Sequence, residues 1–410
     1  MKILQLCKKF PYPLKDGESI AITYLSNALH DLGCEITLLS MNTSKHYMDI
    51  SELPADFNHY KEIHVSALDN SLNPVAAFKN LFSRDSYHVS RFVSPDFSNK
   101  LIELLKVNDY DVVQLETLYL APYIDVIKEH SSAIITMRAH NIEFEIWERI
   151  TSNTKYLLKK WYLKFLTGKL KRYELENLNK YDYLIAVSDR DLLKFKSLGY
   201  KNGVMSSPIG LDIRNYNTGL NKVTSDDICF IGALDWMPNM EGLMWFIENV
   251  WPELHQKFPE IKLHVAGRNA PPSLMSLQIP NIVMHGEVSD AISFMDKYGM
   301  MVVPLFSGSG MRVKILEGMA LGKVIITTEM GKEGIHAEDG IHLLEASDVP
   351  TFIAKISDVI AGKIDKTKIA IAARTFVETN YDHGINASKL LEKYKSLKSN
   401  PSYIKEQLRN

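Results

Sequence analysis

Two apolar runs, Ile3-Leu4-Gln5-Leu6 and Glu35-Ile36-Thr37-Leu38-Leu39-Ser40, flank the segment Ser19-Ile20-Ala21-Ile22-Thr23-Tyr24-Leu25-Ser26-Asn27-Ala28-Leu29-His30-Asp31-Leu32. In that segment Tyr24, Leu25, Ala28, Leu29 and Leu32 recur at helical spacing. Gly33 supplies the helix stop. Strand, helix and strand within forty residues make one crossover unit of a parallel sheet. Its nearly continuous apolar strands are those of a sheet covered on both faces.

The rhythm continues outward from this unit. Asp111–Leu115, Ala133–Met137 and Leu184–Val187 read as further strands, each separated from the next by a helix-length segment. Ser206–Asp227 breaks the pattern with Pro208, Gly210, Gly219 and many Asn, Ser, Thr and Asp residues, so 206–227 reads as a linker. A second series follows, with strands at Ile228–Ile231, Leu263–Ala266, Ile282–Met284, Met300–Pro304 and Val324–Thr327. The amphipathic stretch Ala387–Lys398 closes the chain as a helix, with a charged tail after Pro401.

Length agrees with two series. At about 150 residues per domain, 410 residues make two large domains. The expected architecture is α/β: two Rossmann-like domains, 1–205 and 228–385, facing across a cleft, with 386–410 as a helix and tail returning to the first domain. Ligands of open α/β sheets bind at the carboxyl ends of the strands.

Composition narrows the function. Apolar residues at 46% and charged residues at 23% are those of a globular chain. Forty-seven basic against forty-nine acidic side chains exclude a globally basic nucleic-acid binder. Cys7, Cys34 and Cys229 are widely spaced and form no metal-like pair, so buried free thiols are expected. The apolar start Met1–Leu6 is too short for a signal peptide, and no run approaches the ~18 residues that span a bilayer. The expectation is a cytoplasmic protein, or one lying on the inner face of the cell membrane without crossing it.

The strongest chemical signal is Ser307-Gly308-Ser309-Gly310-Met311-Arg312-Val313-Lys314-Ile315-Leu316-Glu317-Gly318-Met319-Ala320. Small residues lead directly from a strand into a helix, so backbone amides can face an anion. Arg312 and Lys314 sit in the first turn, where the helix dipole disfavours cations unless an anion is bound there. Glu317, about one turn on, suits the hydroxyls of a ribose. A dinucleotide fingerprint does not fit, because Val313 stands where its third glycine belongs. A pyrophosphate site of another kind does.

This stretch, continued by Gly322–Thr328 and Met330–Ile335, resembles the donor-binding region of family-4 retaining glycosyltransferases. Gly232-Ala233-Leu234-Asp235-Trp236-Met237-Pro238-Asn239 is similar to that family too, as are Arg138-Ala139-His140-Asn141-Ile142-Glu143 and Phe10–Pro13 with Asp16-Gly17. The resemblance implies a GT-B fold, a nucleotide-diphosphate sugar as co-substrate held mainly by the second domain, and hexosyl transfer to a glycan. Carried over, Glu317 binds the ribose, Arg312 and Lys314 face the diphosphate, and Gly17 forms a loop against the sugar phosphate. His140 approaches the transferred sugar from the acceptor side, with Arg138 and Asn141 beside it. Gly232, Asp235, Asn239, Ser309 and Gly310 complete the donor site, and base recognition is expected near His285-Gly286-Glu287.

Three departures stand out. Ser309 replaces the first of the family's two glutamates eight residues apart, and the paired glycines near the N-terminus are Gly17-Glu18. The basic residue usual after the first strand of the second domain is absent from Gly232–Asn239, which moves the phosphate role onto Arg312 and Lys314. Asp109-Tyr110-Asp111 is a DxD triplet at a strand entry, far in sequence from the phosphate segment, and reads as strand punctuation. No His, Cys or carboxylate cluster has metal spacing, so no cofactor is expected and the activity is expected to need no metal.

Lys155–Arg172 holds Lys155, Lys159, Lys160, Lys164, Lys169, Lys171 and Arg172, with no acid, among Tyr156, Leu157, Leu158, Trp161, Tyr162, Leu163, Phe165 and Leu166. Gly168 interrupts it. Such a segment either lies on an anionic membrane surface, which a lipid-linked acceptor would explain, or packs its apolar stripe on the first domain. Two alternatives to a transferase keep the fold: a nucleotide-sugar epimerase or hydrolase, and a non-catalytic two-lobed ligand-binding protein.

Overall fold

The computed structural model describes residues 1–14, 16–71, 73, 80, 82–154, 156–216, 225–308 and 311–400. The chain divides into two units, Met1–Gly210 with His383–Asn410, and Leu211–Asp382. The architecture is α/β, with one Rossmann-like sheet in each unit, as the two strand series implied.

The first unit carries β1 (Lys2–Cys7), β2 (Glu35–Thr43), β3 (Glu62–Leu68), β4 (Val112–Leu115), β5 (Ile134–Ala139), β6 (Tyr183–Ala186) and β7 (Gly203–Ser206). These pair in parallel in the order β3-β2-β1-β4-β5-β6-β7. The strand order reverses between β1 and β4, which makes their carboxyl ends a topological switch point. β4, β5 and β6 are buried along their whole length, as doubly covered parallel strands must be. Asp16 caps the first helix, Gly17–Asp31, by accepting the Ser19 N–H at 3.0 Å. The last helix, His383–Ser399, returns to this unit. Its Leu390, Leu391 and Tyr394 pack with Ile22 and Leu25, and the Tyr394 hydroxyl donates to Gln114 Oε1 at 2.6 Å.

The second unit carries β8 (Ile228–Ile231), β9 (Leu263–Ala266), β10 (Ile282–Gly286), β11 (Met300–Val303), β12 (Val324–Thr327) and β13 (Leu344–Glu345), in the order β10-β9-β8-β11-β12-β13. Here the reversal falls between β8 and β11. The loop Gly232–Trp236 and the segment from Pro304 onward therefore leave the sheet side by side. Gly242 makes this close: a β-carbon there would lie 1.9 Å from the Pro304 carbonyl oxygen.

Several boundaries differ from the sequence reading. Ser206 belongs to β7, and residues 211–216 are part of the second unit rather than a spacer: Tyr216 is fully buried there and its carbonyl accepts from Arg374. Residues 217–224 of the expected linker, Lys155 and the tail after Pro401 lie outside the described residues. Gly168 does not interrupt its helix, which runs unbroken from Leu157 to Asn177. The strands β3, β7 and β13 were not anticipated, and all three sit at sheet edges. Asp111 does punctuate a strand: its Oδ2 accepts the Lys2 N–H at 2.8 Å. Cys7, Cys34 and Cys229 are free and buried.

Candidate active site

At the switch point of the second sheet the anticipated residues assemble from three chain segments. The helix Val313–Ala320 begins just past β11, with Arg312 as its N-cap residue. Lys314 Nζ reaches back to the end of β8, donating to the Ile231 carbonyl at 3.0 Å and to Asn239 Oδ1 at 3.0 Å. Asn239 in turn donates to the Ala233 carbonyl at 2.9 Å. Gly232 must be small here, because a β-carbon would sit 2.8 Å from Asn239 Nδ2 and 3.1 Å from Lys314 Nζ. Gly308, at φ +104°, is in the left-handed region, and a β-carbon on it would meet Arg312 Nη2 at 3.3 Å and Pro238 Cγ at 3.4 Å. The guanidinium thus lies over the glycine loop, beside the segment that follows β8.

Burial pushes the Lys314 ammonium down to about 7, and the neighbouring Arg312 charge adds to the effect. An ammonium carries three N–H groups, and two are committed to Ile231 and Asn239. Glu317 lies one turn further along. Tyr216 donates its hydroxyl to Glu317 Oε1 at 3.1 Å, and burial raises the carboxyl above its ordinary range. Asp235 is exposed and accepts from Asn269 Nδ2 at 3.0 Å, and Glu287 is exposed in the loop after β10. Ser309 and Gly310 lie outside the described residues.

At the switch point of the first sheet the centre is a residue that the sequence reading missed. Glu116 follows β4, is fully buried, and accepts from Gln5 Nε2 at 2.6 Å, His140 Nε2 at 3.0 Å and Arg138 Nη1 at 3.3 Å. Burial alone would raise its pKa, but the Arg138 charge and the His140 hydrogen bond prevail and hold it at about 2. An ionised carboxylate only accepts, so His140 carries a proton on Nε2 and leaves Nδ1 as the ring nitrogen that Glu116 does not engage. Arg138 corrects an expectation. Placed beforehand at the acceptor side, it is 1% exposed inside the unit and also donates to the Ala21 carbonyl at 3.1 Å. It is a buried counter-charge, because a carboxylate with no water needs one.

Beside His140 and Asn141 a small recess is lined by Thr117, Glu143, Glu174 and Tyr181 among others. Glu174 accepts the Glu143 and Phe144 N–H groups at 3.2 and 3.0 Å and so caps the helix Glu143–Asn153 from outside. Burial and then the Glu143 charge push its carboxyl up to about 8. Gly17 opens the first helix, with Glu18 paired to Lys8 at 3.2 Å and Asp16 to Lys9 at 2.7 Å. Among the described residues, no group of three or more His, Cys, Asp or Glu side chains is arranged to hold a metal ion.

Two Rossmann-like domains of GT-B type make up the fold, and the second carries a cation-bearing helix start at its switch point. Residues 225–362, within the second unit, match the family described as Glycosyl transferases group 1, in agreement with the resemblance read from that part of the sequence. Over nearly the whole length the chain is similar to solved structures. It covers 97% of itself and 100% of Anabaena Alr3699/HepE in complex with UDP, with 14% identity and a TM-score of 0.65. Against sucrose-phosphate synthase from Thermosynechococcus elongatus the coverage is 97% and 99%, with 13% identity and a TM-score of 0.69. A protein described as an uncharacterized 44.6 kDa protein in the cps region of Klebsiella pneumoniae is 22% identical over 405 residues, 93% of this chain and 96% of that one.

Proposed function

We propose that this protein is a retaining, metal-independent hexosyltransferase that moves a sugar from a nucleoside-diphosphate sugar to a lipid-linked or growing cell-surface glycan. The observation that carries the reading is the convergence of Arg312, Lys314, Asn239 and Gly232 on a helix start at the switch point, with Glu317 one turn away. The UDP held by Anabaena Alr3699/HepE and the cps-region setting of the Klebsiella relative support the donor and polysaccharide parts.

Breaking an anomeric carbon–phosphate bond leaves positive charge on the ring and negative charge on the departing diphosphate. The leaving group is therefore what the protein must stabilise, by analogy with glycoside hydrolysis. Arg312, Lys314 and the first amides of the Val313–Ala320 helix supply that field without reorganising. In a front-face transfer the departing diphosphate itself takes the acceptor hydroxyl's proton. Glu317, hydrogen-bonded by Tyr216, accepts from the ribose hydroxyls. His140, held by Glu116, steadies the transferred sugar.

Incubation with UDP- and GDP-hexoses and a polyprenyl-diphosphate-linked saccharide, followed by NMR of the product, tests the transfer. The expected result is release of one nucleoside diphosphate and an anomeric configuration equal to the donor's. An inverted product, or donor breakdown with no acceptor modified, contradicts the reading.

Lys314 gives a second expectation. With its ammonium at about 7 in the free protein, Lys314 is mostly neutral at pH 8, and a bound diphosphate raises it and draws in a proton. Titration calorimetry of the diphosphate at pH 8, in buffers of different ionisation heat, is expected to show uptake approaching one proton, abolished in Lys314→Met. Equal uptake in that variant rules out this assignment.

A further inference from the structure

The buried residues of the helix Leu157–Asn177 all lie in its later turns. They are Leu166, Thr167, Lys169, Leu170, Glu174 and Asn177, and no residue from Leu157 to Phe165 is buried. Yet this first half is strongly apolar: Leu157 is 82% exposed, Leu158 87%, Trp161 67% and Phe165 37%, with Tyr156 just before them at 79%. At 3.6 residues per turn, Leu157, Leu158, Trp161 and Phe165 fall within an arc of about 100°, on the side away from Leu166, Leu170 and Asn177. The Trp161 and Phe165 rings stack at 6.3 Å. The apolar stripe therefore does not pack on its own domain. Phe82, 83% exposed, lies on the adjoining segment that Lys169 ties to this helix by donating to the Ser83 carbonyl at 2.7 Å.

Charge selects the occupant. Lys159 and Lys164 are exposed, Lys160 and Lys164 flank the apolar arc, and no acid occurs from 155 to 172. On the neighbouring helix Glu145 pairs with Lys194 at 3.4 Å, and Glu148 pairs at 3.0 Å with Lys171, in the later, packed half of the helix Leu157–Asn177 and not among the lysines beside the apolar arc. A second copy docked symmetrically on this face would oppose like charges. Anionic headgroups over an apolar interior complement both features, and Trp and Lys each favour that boundary. Among the described residues no helix is long and apolar enough to cross a membrane, so the contact is one of lying on the surface.

We propose that Tyr156–Phe165 is a bilayer-docking surface, which seats its apolar arc in the interface of an anionic membrane. It gives the lipid-linked acceptor reading a physical location, and rests on that reading for its purpose alone. Flotation of the full chain with phosphatidylglycerol–phosphatidylcholine vesicles, without donor or acceptor, tests it apart from catalysis. Binding is expected to the mixed vesicles and not to phosphatidylcholine alone, and to weaken with salt. Lys160→Gln/Lys164→Gln, the two lysines that flank the arc, is expected to lose about 30-fold in affinity, at about 1 kcal/mol for each lysine near such a surface. Leu157→Ser/Trp161→Ser is expected to stop binding with an unchanged unfolding midpoint, since both residues are exposed. Equal binding to both vesicle types, no binding, binding unaffected by either variant, or a lipid-free dimer that the same variants split would each overturn the proposal. None of these outcomes bears on nucleotide binding, so the transferase reading stands or falls separately.

Discussion

Replacing Arg312 by alanine is expected to lower kcat about 10²- to 10³-fold, the usual loss when one preorganised donor to a developing anion is removed. The same change should leave the free protein folded and slightly more stable. A cation at a helix N-terminus opposes the dipole, and removing one at a surface site returns about 0.3–1 kcal/mol. The two signs together make the test discriminating. Arg312 is the N-cap residue, and its guanidinium lies over Gly308 and beside Pro238. A structural role would show destabilisation with activity lost in proportion. Steady-state turnover beside a denaturant midpoint separates the two, and turnover within tenfold of the parent contradicts the leaving-group role.

Glu116→Ala is expected to be the most destabilising single change at the first switch point. It strands the Arg138 guanidinium, 1% exposed, without its counter-charge, and breaking a buried pair in this way costs about 3–5 kcal/mol. Removing both charges in a Glu116→Leu/Arg138→Met double variant should recover most of that stability, because a buried pair replaced by apolar groups is close to neutral. The double variant should remain poorly active, since His140 then loses the partner that fixes its tautomer. Acid titration gives a third sign. The Glu116 carboxyl is drawn from 4.5 to about 2 on folding, so its stabilisation is complete above pH 4.5 and is lost as pH falls towards 2. Urea unfolding at neutral pH and at pH 3 measures this directly. A Glu116→Ala protein as stable as its parent, or a double variant no better than the single, would remove the buried-pair account.

The sequence made the central strands legible because each is a short apolar run covered on both faces. β8, β9 and β12 lie where those runs lie, residue for residue. Three of the four edge strands, β3, β7 and β13, were missed, and β3 shows the converse reason. In Glu62-Ile63-His64-Val65-Ser66-Ala67-Leu68 polar and apolar residues mix, as they can on a half-covered edge. At the switch point of the second sheet, the residues that cluster around the Val313–Ala320 helix start were visible through their local pattern. Tyr216 was not, because its partner Glu317 is 101 positions away and its own surroundings look like a linker. Glu116 was hidden similarly: only the parallel pairing of β4 with β5 brings it to His140. The helix Leu157–Asn177 was ambiguous because both of its faces are apolar, and periodicity cannot say which one the domain covers. The structure covers the Leu166–Leu170 side.

The central claim is a nucleoside-diphosphate site built on Arg312, Lys314 and Glu317. A thermal-shift panel of UDP, GDP, CDP and ADP, with and without magnesium, on the parent protein and on Glu317→Ala tests it most directly. One diphosphate at 100 times its dissociation constant should add about 2.7 kcal/mol. The predicted result is stabilisation by one of the four, equal with and without magnesium, and lost in Glu317→Ala. Stabilisation by none of them, or an undiminished response in the variant, would contradict the claim.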